Sequence, residues 1–319
     1  MSLSALTWKK GNLITPASSS VPDILNAIYT AFTATTYYNG ATRTAGSGSA
    51  WTAGRYQNSG TTEAVYLTPP SGTLNQRVIF AAKGTSATPT MATPDTFATN
   101  TIIAAIAKNA GAYNAWDAAA PFTSGQFYGY WRCVSSTTVI SYVQIIESAD
   151  AIIVCFIDNT SFGNIFPVLA GGFIDPQTSS SLSAESNGLR YGLFTGNNAI
   201  SSTNFLETAT AWPGHSGSSA LYHGMVADVG AVSTFSTIQR MTLATGTSTT
   251  WNQNANSEYL ILSMYIGKTA GGAVGTFRQI GIANNGVSGT TLQDGSANPL
   301  WHLVGQCKNS SSNRMAFQD

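Results

Sequence analysis

Three histidines occur in this 319-residue chain, and two of them, His215 and His223, flank a serine set between glycines in "AWPGHSGSSALYH". A serine with a nearby imidazole base and an orienting acid would be the apparatus of acyl transfer, with Asp228 or Glu207 as the acid. The spacing argues otherwise. A hydrolase elbow requires G-x-S-x-G, because the strand-to-helix turn is crowded on both sides of the nucleophile. Here Ser218 stands where the second glycine belongs, Pro213 lies just upstream, and no strongly apolar strand precedes the turn. Ser216 therefore reads as part of a Ser/Gly loop.

Other chemistry-bearing residues fare similarly. "GKT" at Gly267-Lys268-Thr269 ends a phosphate-loop motif whose leading glycine is replaced by Leu262. Glu147, Asp150 and Asp158 cluster around a turn between two strand-like segments. A glycosidase needs two carboxyls facing one another across roughly 5–9 Å, whereas carboxylates at loop ends are usually solvated. The histidines and the three cysteines (Cys133, Cys155, Cys307) show no metal-ligand spacing, and "LQDGSAN" has too few carboxylates for a calcium loop. No catalytic residue, metal site or cofactor is expected. The tryptophans are the better lead. Trp51 with Tyr56, and Trp251 with Tyr259, fall in Gly/Ser/Asn-rich stretches, where they could stack on sugars or fill a subunit interface.

The elements that must position these residues read as mainly β with a minor helical part, an α+β chain. An antiparallel sandwich or barrel-like core follows an N-terminal region that contains a helix. In "SSSVPDILNAIYTAFTATT", Ser20 can cap, Pro22 suits the first turn and Asp23 favours the positive end of the dipole. Ile24, Leu25, Ile28 and Phe32 then recur at helical spacing, which places a helix near 22–34. Asn39-Gly40 marks a turn, and "EAVYLT" and "QRVIFAAK" predict a hairpin near 63–83. Ile102, Ile103, Ile106 and Ala110 suggest a second helix near 99–110. From residue 126 onward, short segments rich in aromatic and β-branched residues alternate with turn residues. A mixed region over 1–125 followed by a β-rich domain over 126–319 is the simplest division.

Composition narrows function. Only 9% of residues are charged, against roughly 25% in an average soluble protein, and 14 basic residues balance 14 acidic ones. With no basic cluster, nucleic acid is an unsuitable partner. No apolar segment approaches the length of a membrane span, and the first residues lack the pattern of a signal peptide. Few, scattered cysteines suit thiols and a reducing cytoplasm. A chain near zero net charge has little repulsion between its copies. Both terminal segments are polar stretches studded with isolated apolar residues (Leu3, Leu6 and Trp8; Met315 and Phe317), suited to wandering in solvent or docking on another chain.

Abundant Ser, Thr, Gly and Asn, very low charge, β-rich segments and no catalytic constellation together resemble structural proteins of tailed-bacteriophage virions. These are tail, baseplate, neck or capsid-decorating subunits. The resemblance is one of style over most of the chain and implies no site residues. It implies a non-enzymatic, homo-oligomeric subunit, made in the host cytoplasm and assembled with other virion proteins. The alternative is a carbohydrate- or receptor-binding module that meets a surface glycan through Trp51, Tyr56, Trp251 and Tyr259. A glycan or ester hydrolase ranks third.

Overall fold

The structure is a computed structural model that describes residues 7–70, 76–84, 97–108, 129–132, 139–149, 151–158, 165–171, 174–176, 190–195, 223–228, 235–236, 238–239, 261–268, 272–284, 291–292, 301–306 and 313–318. Within these, the chain forms antiparallel sheets and one helix, a mainly β α+β fold.

Strand β1 (Lys9–Ile14) precedes helix α1 (Val21–Thr33). The helix begins where the sequence places it. Ser20 is extended (φ −70°, ψ 151°), and its hydroxyl accepts from the Asp23 N–H at 3.4 Å. Ser18 donates to the Asp23 carboxylate. Ile24, Leu25, Ile28 and Phe32 are fully buried, each contributing about 1.5–3 kcal/mol relative to exposure.

A five-stranded sheet follows: β2 (Thr52–Asn58), β3 (Thr61–Thr68), β4 (Gln76–Gly84), β5 (Phe97–Lys108) and β6 (Gly129–Arg132), paired in chain order. The expected hairpin is β3–β4, with Val65 opposite Phe80 and Leu67 opposite Val78. The second helix is not formed. Residues 97–108 are β5, paired with β4 and β6, with Ile103 opposite both Ala81 and Tyr130. Thr101, Ile102 and Ile103 are successive β-branched residues, which lose side-chain freedom in a helix and fit a pleated sheet. Two waiting strand edges then decide the outcome.

A second sheet takes strands from both sides of residue 125. Its order is β1, β7 (Ile140–Glu147), β8 (Ala151–Asp158), β9 (Ile165–Gly171), β11 (Arg190–Thr195), β12 (His223–Asp228) and β13 (Phe235–Ser236). The third runs β14 (Ile238–Gln239), β15 (Ile261–Lys268), β16 (Gly272–Asn284), β19 (Asn313–Gln318), β18 (Trp301–Gln306) and β17 (Thr291–Leu292), with β10 (Ile174–Pro176) also on β16.

Aromatic contacts join the sheets. Phe80 of β4 meets Phe156 of β8 edge to face at 6.5 Å, and α1 packs against β2 and β3 of one sheet and β1 and β7 of another. Trp8 lies against Phe317 of β19 at 5.8 Å, and Phe317 stacks on His302 at 4.8 Å. Trp8 and Phe317, two of the apolar residues expected to wander in solvent or dock on another chain, thus pack on their own chain. Trp8 is 2% and Phe317 3% exposed, because each apolar residue finds a sheet face to cover.

Candidate functional site

Several buried polar groups of the described residues are linked where the 34–51 loop crosses the end of β7. The loop is held in shape locally. Tyr37 N–H donates to Ala41 O and Gly40 N–H to Tyr37 O, both at 2.9 Å, while Asn39 Oδ1 accepts from the Ala41 N–H at 3.1 Å. Gly40 sits at φ +82°, a left-handed conformation that glycine adopts without penalty. The Asn39-Gly40 turn read from the sequence is therefore present. Tyr38 N–H donates to Lys10 O at 2.9 Å, which lays the turn against β1.

This arrangement delivers Arg43 into the interior, where its side chain is 1% exposed. Its guanidinium grips Glu147 in bidentate fashion, with Nε to Oε1 at 2.6 Å and Nη2 to Oε2 at 3.0 Å. The remaining donors take backbone carbonyls: Nη1 to Phe32 O at 2.5 Å and Ala34 O at 3.3 Å, and Nη2 to Trp51 O at 2.7 Å. Phe32 and Ala34 lie at the end of α1, so Arg43 satisfies carbonyls that the helix cannot pair itself and places positive charge at its negative end.

Glu147 has further donors. The Trp51 N–H reaches Oε2 at 3.0 Å, and the Tyr37 hydroxyl also donates to this carboxylate. Burial pushes the Glu147 carboxyl above its ordinary range, opposed by Arg43, the Trp51 N–H and Tyr37. Burial likewise raises the Tyr37 phenol well above its usual value, and the neighbouring carboxylate adds to the rise. The raised phenol leaves Tyr37 protonated near neutral pH. The Trp51 indole N–H donates to Ser148 O at 2.7 Å. Ser148 in turn closes the β7–β8 turn, its hydroxyl accepting from the Ala151 N–H at 3.1 Å. The chemistry of the cluster is that of a clasp.

Several sequence expectations change here. Trp51 is fully buried, so it offers no stacking surface to a sugar or a partner. Its Gly/Ser-rich surroundings suggested exposure, but the clasp draws the indole inward. Tyr56 is half-buried on β2. Trp251 and Tyr259 lie outside the described residues. Glu147 is not a solvated loop-end carboxylate. Asp158 ends β8, opposite Ile140, whereas Glu147 lies opposite Ile152; six residues of strand separate these points by about 20 Å. That span is too long for a paired-carboxylate mechanism, and Asp150 lies outside the described residues. His223 and Asp228 occupy opposite ends of β12, about 16 Å apart at 3.3 Å per residue, so Asp228 cannot orient that imidazole. Ser216, His215 and Glu207 fall outside the described residues. Lys268 ends β15 and pairs with Gly272 in a β15–β16 hairpin, whereas a phosphate loop leads from strand to helix. Among the described residues no His, Cys, Asp or Glu cluster could hold a metal ion, and no helix is long and apolar enough to cross a membrane.

Sequence reasoning missed Arg43 as the partner of Glu147. One signal was present: a carboxylate directly after "ISYVQII" in a chain so poor in charge is placed for burial, and a buried carboxylate requires a cation.

Above the clasp lies an open groove of about 540 Å³. Thr7, Lys9, Thr42, Thr44, Ser47 and Ser49 contribute to its walls, and Tyr37 also lines it. The Ser49 hydroxyl donates to Thr7 O at 2.7 Å and ties the two walls together. No protein-family model matches the chain, and no curated protein matches it in sequence.

Proposed function

We propose that this chain is a non-enzymatic structural subunit of a tailed-bacteriophage virion. It would be an oligomeric tail or baseplate component that works through contacts with copies of itself and with other virion proteins. The observation that carries the reading is the use made of scarce charge. In a chain with 9% charged residues and no net charge, Arg43 and Glu147 are spent on an internal clasp. A scaffold that hides ionic groups and presents Ser, Thr, Asn and Gly has little electrostatic barrier to close packing with its own kind. Location in a particle assembled in the host cytoplasm belongs to the same proposal.

Light scattering on the eluting protein, followed by crosslinking to the other proteins of its particle, tests this. A discrete oligomer or a crosslinked virion partner is expected. A strict monomer at high concentration that captures no virion protein overturns the proposal.

A further inference from the structure

The groove above the clasp carries chemistry that neither the clasp nor subunit packing uses. Five of its nine described lining residues, Thr7, Thr42, Thr44, Ser47 and Ser49, carry hydroxyls that can donate and accept. Lys9 supplies an ammonium, half-buried, with no carboxylate at ion-pair distance among the described residues. Glu147 of the clasp is already engaged by Arg43, so Lys9 is the charged group among the described lining residues. Gly48 also lines it, in a left-handed conformation at φ +60°, a backbone shape found in anion-binding nests. The neighbouring backbone donors are taken: Gly46 N–H binds Ala50 O, Ser47 N–H binds Thr44 O, and Ala50 N–H binds Ser47 O. The N–H groups of Gly48 and Ser49 have no such backbone acceptor.

One cation and a set of hydroxyls suit a ligand with one negative charge and many hydroxyls. The volume falls in the roughly 300–1,000 Å³ range of small-molecule sites, larger than a bare inorganic anion requires. We propose that this groove binds an acidic saccharide, a sugar unit bearing a carboxylate. Lys9 pairs with the carboxylate, and Thr42, Thr44 and Ser47 exchange hydrogen bonds with ring hydroxyls. The site is distinct from the Trp51, Tyr56, Trp251 and Tyr259 set and does not depend on the oligomeric state.

Ligand-observed NMR on the full chain with sodium glucuronate tests it, with glucose and sodium acetate as separated halves of the ligand. Glucuronate should bind more tightly than either half. Lys9→Gln should weaken it about tenfold, the loss of one charge-assisted contact, while barely changing glucose binding. Thr44→Trp, at an exposed position on the groove wall, should abolish binding with the thermal transition unchanged, which separates occlusion from misfolding. Acetate binding as tightly as glucuronate, glucose binding as tightly as glucuronate, or no saturable glucuronate binding each overturns the proposal.

Discussion

Replacing Arg43 by methionine keeps much of the side-chain volume but removes every donor that Arg43 gives the clasp. Two kinds of loss follow. The carbonyls of Phe32 and Trp51, held at 2.5 and 2.7 Å, lose a charged donor within the interior, at about 1–3 kcal/mol for each buried group left unpaired. Glu147, fully buried, loses its counter-charge. Breaking a buried ion pair from one side costs about 3–5 kcal/mol. The second loss depends on pH, and its sign is determined. Burial already raises the Glu147 carboxyl, and Arg43 opposes the rise; without Arg43 the folded-state pKa climbs further. A group whose folded pKa exceeds its unfolded value has its stability fully present below the unfolded pKa and loses it as pH rises through the folded one. The deficit of Arg43→Met should therefore be about 2–6 kcal/mol from the carbonyls alone, and it should grow between pH 5 and pH 8, by up to about 4 kcal/mol, as protonating the buried carboxyl becomes costlier. Urea unfolding followed by tryptophan fluorescence measures both, since the Trp51 indole lies against the clasp. Deficits below about 1 kcal/mol, or equal at the two pH values, would refute the reasoning.

Two further outcomes are expected. At the bulge between Lys10 and Leu13 of β1, a Cβ on Gly11 would fall 2.6 Å from Ile145 Cγ1, so Gly11→Ala should destabilise by about 1–3 kcal/mol in the same unfolding assay. Cys155 is fully buried in β8, and burial pushes its thiol up to about 12. Iodoacetamide at pH 8 should leave Cys155 unmodified in the native protein and alkylate it in urea, as read by peptide mass spectrometry. Because its folded pKa is raised, stability should also fall by about 1.4 kcal/mol per pH unit as pH climbs from the unfolded value toward 12.

The sequence alone determined what depends on neighbours a few residues apart. Ser20, Pro22 and Asp23 announced α1, and its apolar spacing named the buried face, because capping and helical periodicity are complete within a few turns. The β3–β4 hairpin and the Asn39-Gly40 turn were legible for the same reason. So was the mainly β class, from short β-branched segments set between turn residues. Tertiary structure decided what depends on partners far along the chain. The 97–108 segment carries apolar spacing that a helix or a strand could use, and the edges of β4 and β6 made it a strand. Arg43 and Glu147 lie 104 residues apart, so neither stretch reveals the other. Only when β1 pairs with β7 does the 34–51 loop reach the carboxylate, and that same meeting buries Trp51 beneath a groove of hydroxyls. A residue's type limits the chemistry it can do. Whether it faces solvent, a ligand or a buried opposite charge is settled by segments that meet only in the folded chain.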